Sequence, residues 1–483
     1  MNDHRQLDFF WEKIFVLLAT LSFLASLAPI WSGKYLPFTD IPQNLAQASV
    51  IRNFSNPALE YSNYYLVKLF TPYGFPVALC ALLCYLFPPL IAVKILLSLT
   101  IWLYPASLAY LFRRSGGSRR WAVFGFPLAY NSNLFWGHLS FYFAIPWGLV
   151  LWGLAIDESE SPARWKEVAL AAGMSLLFFL HLFVWAFCWL AVLILLFDRK
   201  NLKGICSLFP SLLLILGWMF RTAGKASIHV SVAWAFGWRR SLELIQLLVG
   251  LNGAWQFLTV LAMLFSFQLL NKKASVLYRR WLIAAISLLV FFCALETRPV
   301  ISVIAERMTV FVVPALMICF VKANSDRKKE LLGLNYLMGV FLILMGINSY
   351  QIVSFNREAL DFAPVLNRLK AGKRLIANIE NTDSSAGYFI PYEHFGAYYQ
   401  VERGGFFEFS FANSLHQIIE RKESVSGDLM TAPDLFEQRP CSSGYDYYLL
   451  RSNIDENGRL LPKLGKCFAL NIHSGSWWLF ERK

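Results

Sequence analysis

The carboxylate of Asp40 has the clearest capacity for chemistry in this sequence. It lies in residues 38–45 (FTDIPQNL), at the start of a segment of roughly 45 residues, 31–75, that follows the first hydrophobic run. A carboxylate at the membrane face could be a general base that takes a proton from an acceptor hydroxyl as it attacks a sugar carbon. Because Pro42 suits the first turn of a helix and residues 43–53 have helical composition, Asp40 could instead be a helix N-cap.

Glu60 is the next acid in the same segment. It could orient the acceptor or bind a metal, or it could be a solvated surface residue. The sequence contains no phosphate loop of the GxxxxGKS/T type, no GxGxxG after a strand, no HExxH and no CxxC pair. These absences argue against nucleotide-driven or zinc chemistry.

The hydrophobic content places the chain in a membrane. Hydrophobic residues make up 57%, the mean hydropathy is +0.47 and 16% of residues are charged, whereas soluble proteins have about 25% charged residues. Apolar runs of about 16 to 20 residues, which as helices cross about 30 Å of hydrocarbon, recur between residues 14 and 350. The net charge of +13 gathers in short loops, which is the positive-inside pattern and not a nucleic-acid surface.

About eleven crossings fit these runs, with the N-terminus cytoplasmic and the C-terminal segment outside. They are expected over residues 14–31, 76–93, 95–112, 121–137, 139–156, 165–197, 204–220, 252–270, 281–296, 306–322 and 331–349. The first is predicted to be an uncleaved anchor because Pro29 blocks signal processing. Basic loops at 198–203, 271–280 and 322–329 should be cytoplasmic, and loops at 157–160, 221–240 and 296–299 external.

Two segments do not fit this topology well. Residues 165–197 would make a helix of about 50 Å if unbroken, and could instead be two half-helices. Residues 113–120 carry four arginines that the count places outside, against the positive-inside rule. Either a helix is miscounted or these arginines bind an anionic group such as a phosphate.

The character of the chain changes at about residue 356, where charge rises and apolar runs shorten. We therefore predict a multipass domain over 1–355, with a large external loop at 32–75, and a soluble extracytoplasmic α/β or α+β domain over 356–483. Its candidate elements are strands at 374–378, 445–450 and 477–480 and a helix over 413–421.

Two cysteines, Cys441 and Cys467, lie in this C-terminal segment, whereas the other six lie in apolar runs. A pair alone in an exported domain either forms a disulfide or stays reduced, and the sequence leaves both alternatives open.

Polar side chains inside apolar runs are further candidates. His138 and His181 lie beside aromatic residues and could have a catalytic or phosphate-binding role, or each could be a neutral histidine bonded to a backbone carbonyl. Asn131 and Asn133, with Gly137, break their run into two pieces, either to line a lipid cleft or to form a tight hairpin. An aromatic and polar cluster in the C-terminal segment could recognise an acceptor or form core: Tyr388, Tyr392, His394, Tyr398, Tyr399 and Glu402.

Several stretches give the chain a resemblance to a known superfamily. They are DIPQNLA at 40–46, YNSNLFWGHL at 130–139, FLHLF at 179–183, ERM at 306–308 and AYYQVERGG at 397–405. The order of one helix, a large external loop that opens with an acid, many helices and an external C-terminal domain is similar to the GT-C superfamily of polyprenyl-phosphate-sugar-dependent glycosyltransferases. The stretches themselves resemble a bacterial multipass group that shares this architecture.

The resemblance implies a GT-C-like polytopic α-helical fold in the bacterial inner membrane and an inverting sugar transfer at its outer face. Asp40 would be the catalytic base, with Glu60 as a second acid. Arg298, and Arg307 beside Glu306, would hold the phosphate of the carrier, although each could also be an ordinary interfacial arginine.

The partners implied are a polyprenyl-phosphate-linked sugar donor, an envelope glycan or lipid acceptor, and membrane lipids, with no nucleic acid. A divalent cation stays open as a cofactor. No metal ligand is assigned, because cation-dependent members usually show more carboxylates than stand beside Asp40. The alternatives are a lipid or polysaccharide transporter or flippase, which a mid-membrane acid and an inverted repeat would favour, and a non-catalytic scaffold of the same fold.

Overall fold

The structure is a computed structural model, and it is mostly helical. It describes residues 2–197, 202–223, 229–234, 242, 244, 246–250, 254–298, 307–323, 327–387, 390–408, 410–413, 417–422, 440–442, 444–453 and 464–483. Within these ranges five segments are long and apolar enough to cross a membrane: Phe9–Trp31, Pro89–Arg114, Leu139–Glu160, Leu202–Thr222 and Arg327–Arg368. The length and apolar composition of these helices indicate a helical membrane protein.

Two compact units make up the chain. Unit 1 comprises Met1–Trp31 and Leu97–Ser349, and unit 2 comprises Ser32–Leu96 and Tyr350–Lys483. The predicted boundary at residue 355 follows chain order, whereas unit 2 joins the segment after the first helix to the C-terminal segment.

Unit 1 is built mainly from helices. Their bounds are Asn2–Ala25, Ala28–Trp31, Pro89–Arg114 (which begins in unit 2), Gly125–Ala129, Ser132–Trp136, Leu139–Glu160, Arg164–Leu180, Leu182–Leu196, Leu202–Cys206, Phe209–Thr222, Ala254–Leu269, Tyr278–Phe292, Val312–Met317 and Arg327–Glu358 (which ends in unit 2), with 3₁₀ turns at Arg119–Phe124 and Thr309–Phe311. Two antiparallel strand pairs accompany them: His229–Trp234 with Cys293–Arg298, and Lys272–Ala274 with Phe320–Lys322.

The crossing predicted over 76–93 is wrong. The structure has a helix of ten residues at Gly74–Leu83 and begins the next helix at Pro89. At 1.5 Å per residue, ten residues cover about 15 Å, which is half of a hydrocarbon core. The apolar run continues through this break, so hydropathy alone did not reveal it.

The long run at 165–197 forms two helices, as one of the two sequence alternatives predicted. Arg164–Leu180 and Leu182–Leu196 meet at His181, whose backbone is extended. A Cβ on Gly204 would meet Leu196 at 3.4 Å and Glu158 at 3.5 Å. The end of the second helix therefore lies near the residues that precede the first, and the two helices form a hairpin with His181 at its tip.

Three further predicted crossings are interrupted. Residues 121–137 form short helices that end at Gly137, which has a left-handed φ of 73°. The run at 281–296 is helical to Phe292 and continues as a strand. Over 306–322 the described part holds one 3₁₀ turn, one short helix and a strand.

Contacts at one end of unit 1 correct the predicted sidedness. Arg114 Nη1 lies 3.0 Å from Oδ1 of Asp157, and Arg280 Nη2 lies 3.6 Å from Oε1 of Glu160. The arginine cluster and the acidic loop therefore lie at the same end as the basic loop 271–280, although the count placed them on the opposite face.

A miscounted helix explains the error, as one of the two alternatives for the arginines held. Removing the crossing at 76–93 reverses the expected side of residues 113–160. The hairpin over 165–197 adds a crossing and restores the expected side from residue 198 onward. On this recount, which keeps the three interrupted runs as crossings, the arginine cluster and the basic loop 271–280 have the same expected side.

Unit 2 contains a mixed five-stranded sheet. Its strands, in spatial order, are Phe468–Ser474, Trp477–Arg482, Tyr447–Arg451, Arg374–Ile379 and Phe406–Phe407. Arg374–Ile379 runs parallel to both of its neighbours, whereas the other pairings are antiparallel. The three predicted strands are confirmed. The helices and turns of the unit are Ile41–Arg52, Tyr61–Tyr64, Gly74–Leu83, Ala359–Asp361, Phe362–Arg368, Phe395–Ala397, Tyr398–Glu402, Phe411–Asn413 and Pro440–Ser442.

The helix predicted over 413–421 is wrong in its described part. Ile419–Arg421 is a strand that pairs antiparallel with Tyr65–Val67. Ile419 and Arg421 are buried on it while Glu420 is half-buried, which is the alternation of a strand. A strand partner distant in sequence therefore overrode the local helical composition.

Cys441 and Cys467 form a disulfide, with their Cα atoms 5.4 Å apart. Of the two alternatives that the sequence left open, the structure therefore shows the disulfide.

Candidate functional site

Asp40 begins the Ile41–Arg52 helix but does not cap it with its side chain. Its backbone is in the helical region, and no backbone N–H of the helix donates to its carboxylate. Its carbonyl oxygen instead accepts from the backbone N and the Nδ2 atom of Asn44, at 3.1 and 2.8 Å. The side-chain N-cap interpretation is therefore wrong, and the carboxylate is directed elsewhere.

His394 faces the Asp40 carboxylate within unit 2. Its Nε2 atom lies 3.5 Å from Oδ1 of Asp40, and the two side chains are 8% and 17% exposed. The edge of the Phe411 ring packs against the imidazole, with centroids 5.4 Å apart. A largely buried acid and imidazole in contact can exchange a proton, which is the arrangement that acid–base chemistry needs.

The helix that Asp40 begins is polar although it is buried. Residues Ile41–Val50 are all buried, including Gln43, Asn44, Gln47 and Ser49. Gln43 Oε1 accepts from the backbone N of Phe411 at 3.3 Å. Neither side-chain polar atom of Gln47 has a hydrogen-bond partner among the described residues. Because positions 40, 43 and 47 follow helical spacing, these side chains lie on one face with Asp40.

A second carboxylate in unit 2, Glu402, is held by Tyr35 and Lys34. Tyr35 Oη donates to Glu402 Oε1 at 2.7 Å, and Lys34 Nζ lies 2.8 Å from Oε2. Burial raises the pKa of the Tyr35 hydroxyl well above its usual range, and the Glu402 carboxylate adds to the shift. Tyr35 therefore stays a hydrogen-bond donor, and its ring packs against Tyr398 with centroids 4.7 Å apart.

Glu60 is not brought to Asp40. It is exposed, has a left-handed φ of 53°, and precedes the Tyr61–Tyr64 helix without capping it. Across the ranges that the structure describes, no cluster of three His, Cys, Asp or Glu side chains could hold a metal ion.

Another polar cluster lies in unit 1, where Arg307, His138 and Asn133 form a closed ring of hydrogen bonds. Arg307 Nη2 lies 3.1 Å from Nε2 of His138, Nδ1 of His138 lies 3.2 Å from Oδ1 of Asn133, and Asn133 Nδ2 donates to the carbonyl of Arg307 at 3.2 Å. Because a guanidinium only donates, Nε2 is the acceptor and the imidazole proton is assigned to Nδ1. Trp136 stacks on the imidazole, with centroids 5.7 Å apart.

His181 lies at the same end of unit 1 as this ring. Its imidazole meets Phe141 edge to face at 4.9 Å, and Phe141 is in the first turn of the helix that follows His138. Its Nδ1 atom accepts from the backbone N of Phe183 at 3.2 Å, so His181 caps the second helix of the hairpin.

Asn131 has a local structural role. Its side chain accepts from the backbone N of Asn133 at 2.9 Å and donates to the carbonyl of Leu128 at 2.7 Å. It therefore caps the Ser132–Trp136 helix.

Three predicted residues receive no side-chain description. Glu306 and Tyr388 lie outside the described residues. Arg298 ends the Cys293–Arg298 strand, where it pairs with His229, and only its backbone is described.

Sequence reasoning gave Asn133 no role beyond breaking its apolar run, and it did not connect His394 with Asp40. Asn133 lies within the quoted stretch at 130–139, and its spacing of five residues from His138 was the available signal. His394 was grouped with aromatic residues, and nothing local to it indicated Asp40, because the contact joins distant parts of the chain.

Comparisons with known proteins find a distant structural similarity. No family model and no curated protein matches the chain. Among solved structures, a mutant of the arabinofuranosyltransferase AftD from mycobacteria is similar with a TM-score of 0.45 and 13% identity, over 96% of this chain and 41% of that one. The chain thus spans less than half the length of that protein.

Proposed function

We propose that this protein is an integral membrane glycosyltransferase that moves a sugar from a polyprenyl-phosphate donor to an envelope glycan or lipid acceptor, at the outer face of a bacterial inner membrane. The observation that carries the proposal is the Asp40 carboxylate, which does not cap its helix and contacts His394 at 3.5 Å. The motif resemblance supports the same role for this acid.

In the proposed reaction Asp40 is the general base. An acceptor hydroxyl oxygen attacks the anomeric carbon of the donor, and the bond from that carbon to the phosphate oxygen breaks with its electron pair on the phosphate. The hydroxyl proton passes to the Asp40 carboxylate, so the products are an inverted glycoside and the free polyprenyl phosphate. His394 would position the carboxylate.

The leaving phosphate needs positive charge, because stabilising developing charge is often the largest contribution to catalysis. Arg307 is the predicted arginine whose side chain the structure describes, and we retain it as the proposed phosphate ligand in unit 1. The Asn133 and His138 contacts would fix its orientation. A planar guanidinium matches phosphate oxygens better than an ammonium does.

Asp40→Asn, compared with Asp383→Asn at matched expression, tests the proposal. Asp383 is an exposed aspartate of the same unit, so its variant reproduces the change of charge alone. We expect Asp40→Asn to lose one modified envelope product while its polyprenyl-linked sugar accumulates, and Asp383→Asn to match wild type. Full transfer by the folded Asp40→Asn protein would refute the general-base role, and unchanged products with altered lipid distribution would favour a transporter.

A further inference from the structure

Unit 1 contains a basic pocket of about 460 Å³, at the end of the unit where the arginine cluster lies. This volume is within the usual range for small-molecule sites, about 300–1,000 Å³. The residues that line it are Arg113, Arg114, Ser115, Gly116, Glu160, Lys273, Ala274, Ser275, Val276, Leu277, Arg280 and Val321. They come from segments that are distant in sequence, so folding assembles the pocket.

The charge of the pocket lining is strongly unbalanced. It holds four cationic side chains and one carboxylate, Glu160, whose side chain is 57% exposed. Glu160 forms an ion pair with Arg280, and Asp157 forms one with Arg114. Arg113 and Lys273 have no carboxylate partner among the described residues, and both are exposed.

The paired arginines are held in place by the fold. Arg280 is 4% exposed and donates to the carbonyl oxygens of Ser115 and Ile318, which ties the arginine loop to its own helix. Arg114 donates from Nη1 to Oδ1 of Asp157 at 3.0 Å, and this ion pair holds its guanidinium where the residue lines the pocket.

The rim of the pocket is apolar and open. Val276 and Leu277 are 95% and 46% exposed, and Tyr278 beside them is 67% exposed. A small soluble anion would leave these apolar side chains uncovered, whereas the acyl chains of a lipid would cover them. Basic pockets between membrane helices on the cytoplasmic side suit anionic lipid headgroups.

We propose that this pocket binds the phosphate group of an anionic phospholipid at the cytoplasmic face. Arg113 and Lys273 contact the phosphate oxygens, and the acyl chains lie along Val276 and Leu277. The Leu139–Glu160 helix has 22 residues, about 33 Å at 1.5 Å per residue. It separates this pocket from the His138 end of unit 1, so the lipid site is distinct from the Arg307 and His138 cluster.

Native mass spectrometry of the full chain in detergent, titrated with phosphatidylglycerol and with phosphatidylcholine, tests the site. We expect phosphatidylglycerol to bind more tightly, and Arg113→Gln/Lys273→Gln to weaken it roughly tenfold to a hundredfold, because hydrogen bonds to charged groups contribute about 1.5–3 kcal/mol each. Both side chains are exposed, so the variant should fold, and its thermal midpoint checks this.

Arg119→Gln/Lys203→Gln is the matched control. It removes the same charge from exposed residues of unit 1 that do not line the pocket, and we expect less than about a threefold change in affinity. Equal losses in the two double variants, or equal binding of the two lipids, would overturn the proposal.

A titration with inorganic phosphate separates the two sources of the phosphate group. Displacement of phosphatidylglycerol only at phosphate concentrations far above those of the lipid supports a lipid headgroup. Phosphate binding as tight as the lipid's, and lost in the pocket variant, would overturn the lipid assignment in favour of a soluble anion.

Discussion

The Nε2 atom of His394 lies 3.5 Å from Oδ1 of Asp40, and both side chains are largely buried. This contact joins the segment after the first helix to the C-terminal segment within unit 2. A base that must accept a proton at one place needs a fixed orientation, and a neighbour in contact with one of its carboxylate oxygens can supply it. His394 is therefore the first residue after Asp40 to test.

His394→Gln should lower kcat roughly tenfold to a hundredfold while leaving KM for the acceptor within about threefold, because misplacing a base acts mainly on the chemical step. Steady-state transfer assays with purified protein measure both constants.

His473→Gln is the control for this prediction. His473 is an exposed histidine of unit 2 that bonds the carbonyl of Gly475, and its replacement should leave kcat unchanged. If His394→Gln has wild-type kcat and an unchanged thermal midpoint, the contact with Asp40 has no catalytic role.

Alkaline pH should destabilise unit 2. Burial raises the pKa of Tyr35 and Tyr61 well above the usual range and that of Tyr65 to about 12. The unfolded chain loses these protons above about pH 10, whereas the folded chain keeps them, so stability is present below pH 10 and falls as pH rises toward 12. Tyr65 alone would contribute a loss of up to about 3 kcal/mol.

Thermal midpoints between pH 8 and pH 11.5 measure this effect. Tyr65→Phe should flatten the decline above pH 10, because it removes one of the groups that titrate only in the unfolded chain. A midpoint that is constant to pH 11.5 would contradict the prediction.

The sequence revealed Asp40 but not its partner, for a physical reason. An acid after a first hydrophobic helix is visible in one stretch of residues, whereas His394 acquires meaning only when the chain folds back. The same holds for Ile419–Arg421, which reads as helix alone and becomes a strand because Tyr65–Val67 pairs with it.

Hydropathy also predicted the apolar runs better than their ends. The run at 76–93 is apolar throughout, yet Gly74–Leu83 is too short to cross a membrane. That miscount placed the arginine cluster opposite the basic loop 271–280, whereas the structure holds the two at the same end of unit 1. The strands at 374–378, 445–450 and 477–480 were predicted correctly, because β-branched and aromatic residues bounded by turns identify strands without knowledge of their partners.

Two buried glutamines on the Asp40 helix should respond oppositely to replacement by leucine. Gln43→Leu leaves the backbone N of Phe411 without its acceptor and should lower the free energy of unfolding by about 1–3 kcal/mol. Gln47→Leu removes an amide that has no hydrogen-bond partner, so stability should stay the same or rise.

Chemical denaturation of the two variants measures the difference, and each glutamine variant is the matched control for the other. A Gln47→Leu protein less stable than Gln43→Leu would show that the Gln47 amide is bonded in the native state.

The effects of replacing Arg307 and His138 on KM for the lipid-linked donor should be coupled. Arg307→Gln and His138→Phe should each raise KM for the lipid-linked donor, by roughly tenfold or more for Arg307, because the guanidinium is the proposed phosphate ligand and Nε2 of His138 orients it. The free-energy change of the double variant should be smaller than the sum of the changes in the two single variants, with a coupling of about 0.5–3 kcal/mol, since the effects of substituting residues in contact are not additive.

Arg119→Gln replaces an exposed arginine of the same unit. It is the control and should keep the wild-type KM. Additive effects, with each single variant folded, would mean that His138 does not position Arg307, and an unchanged KM in Arg307→Gln would remove Arg307 from donor binding.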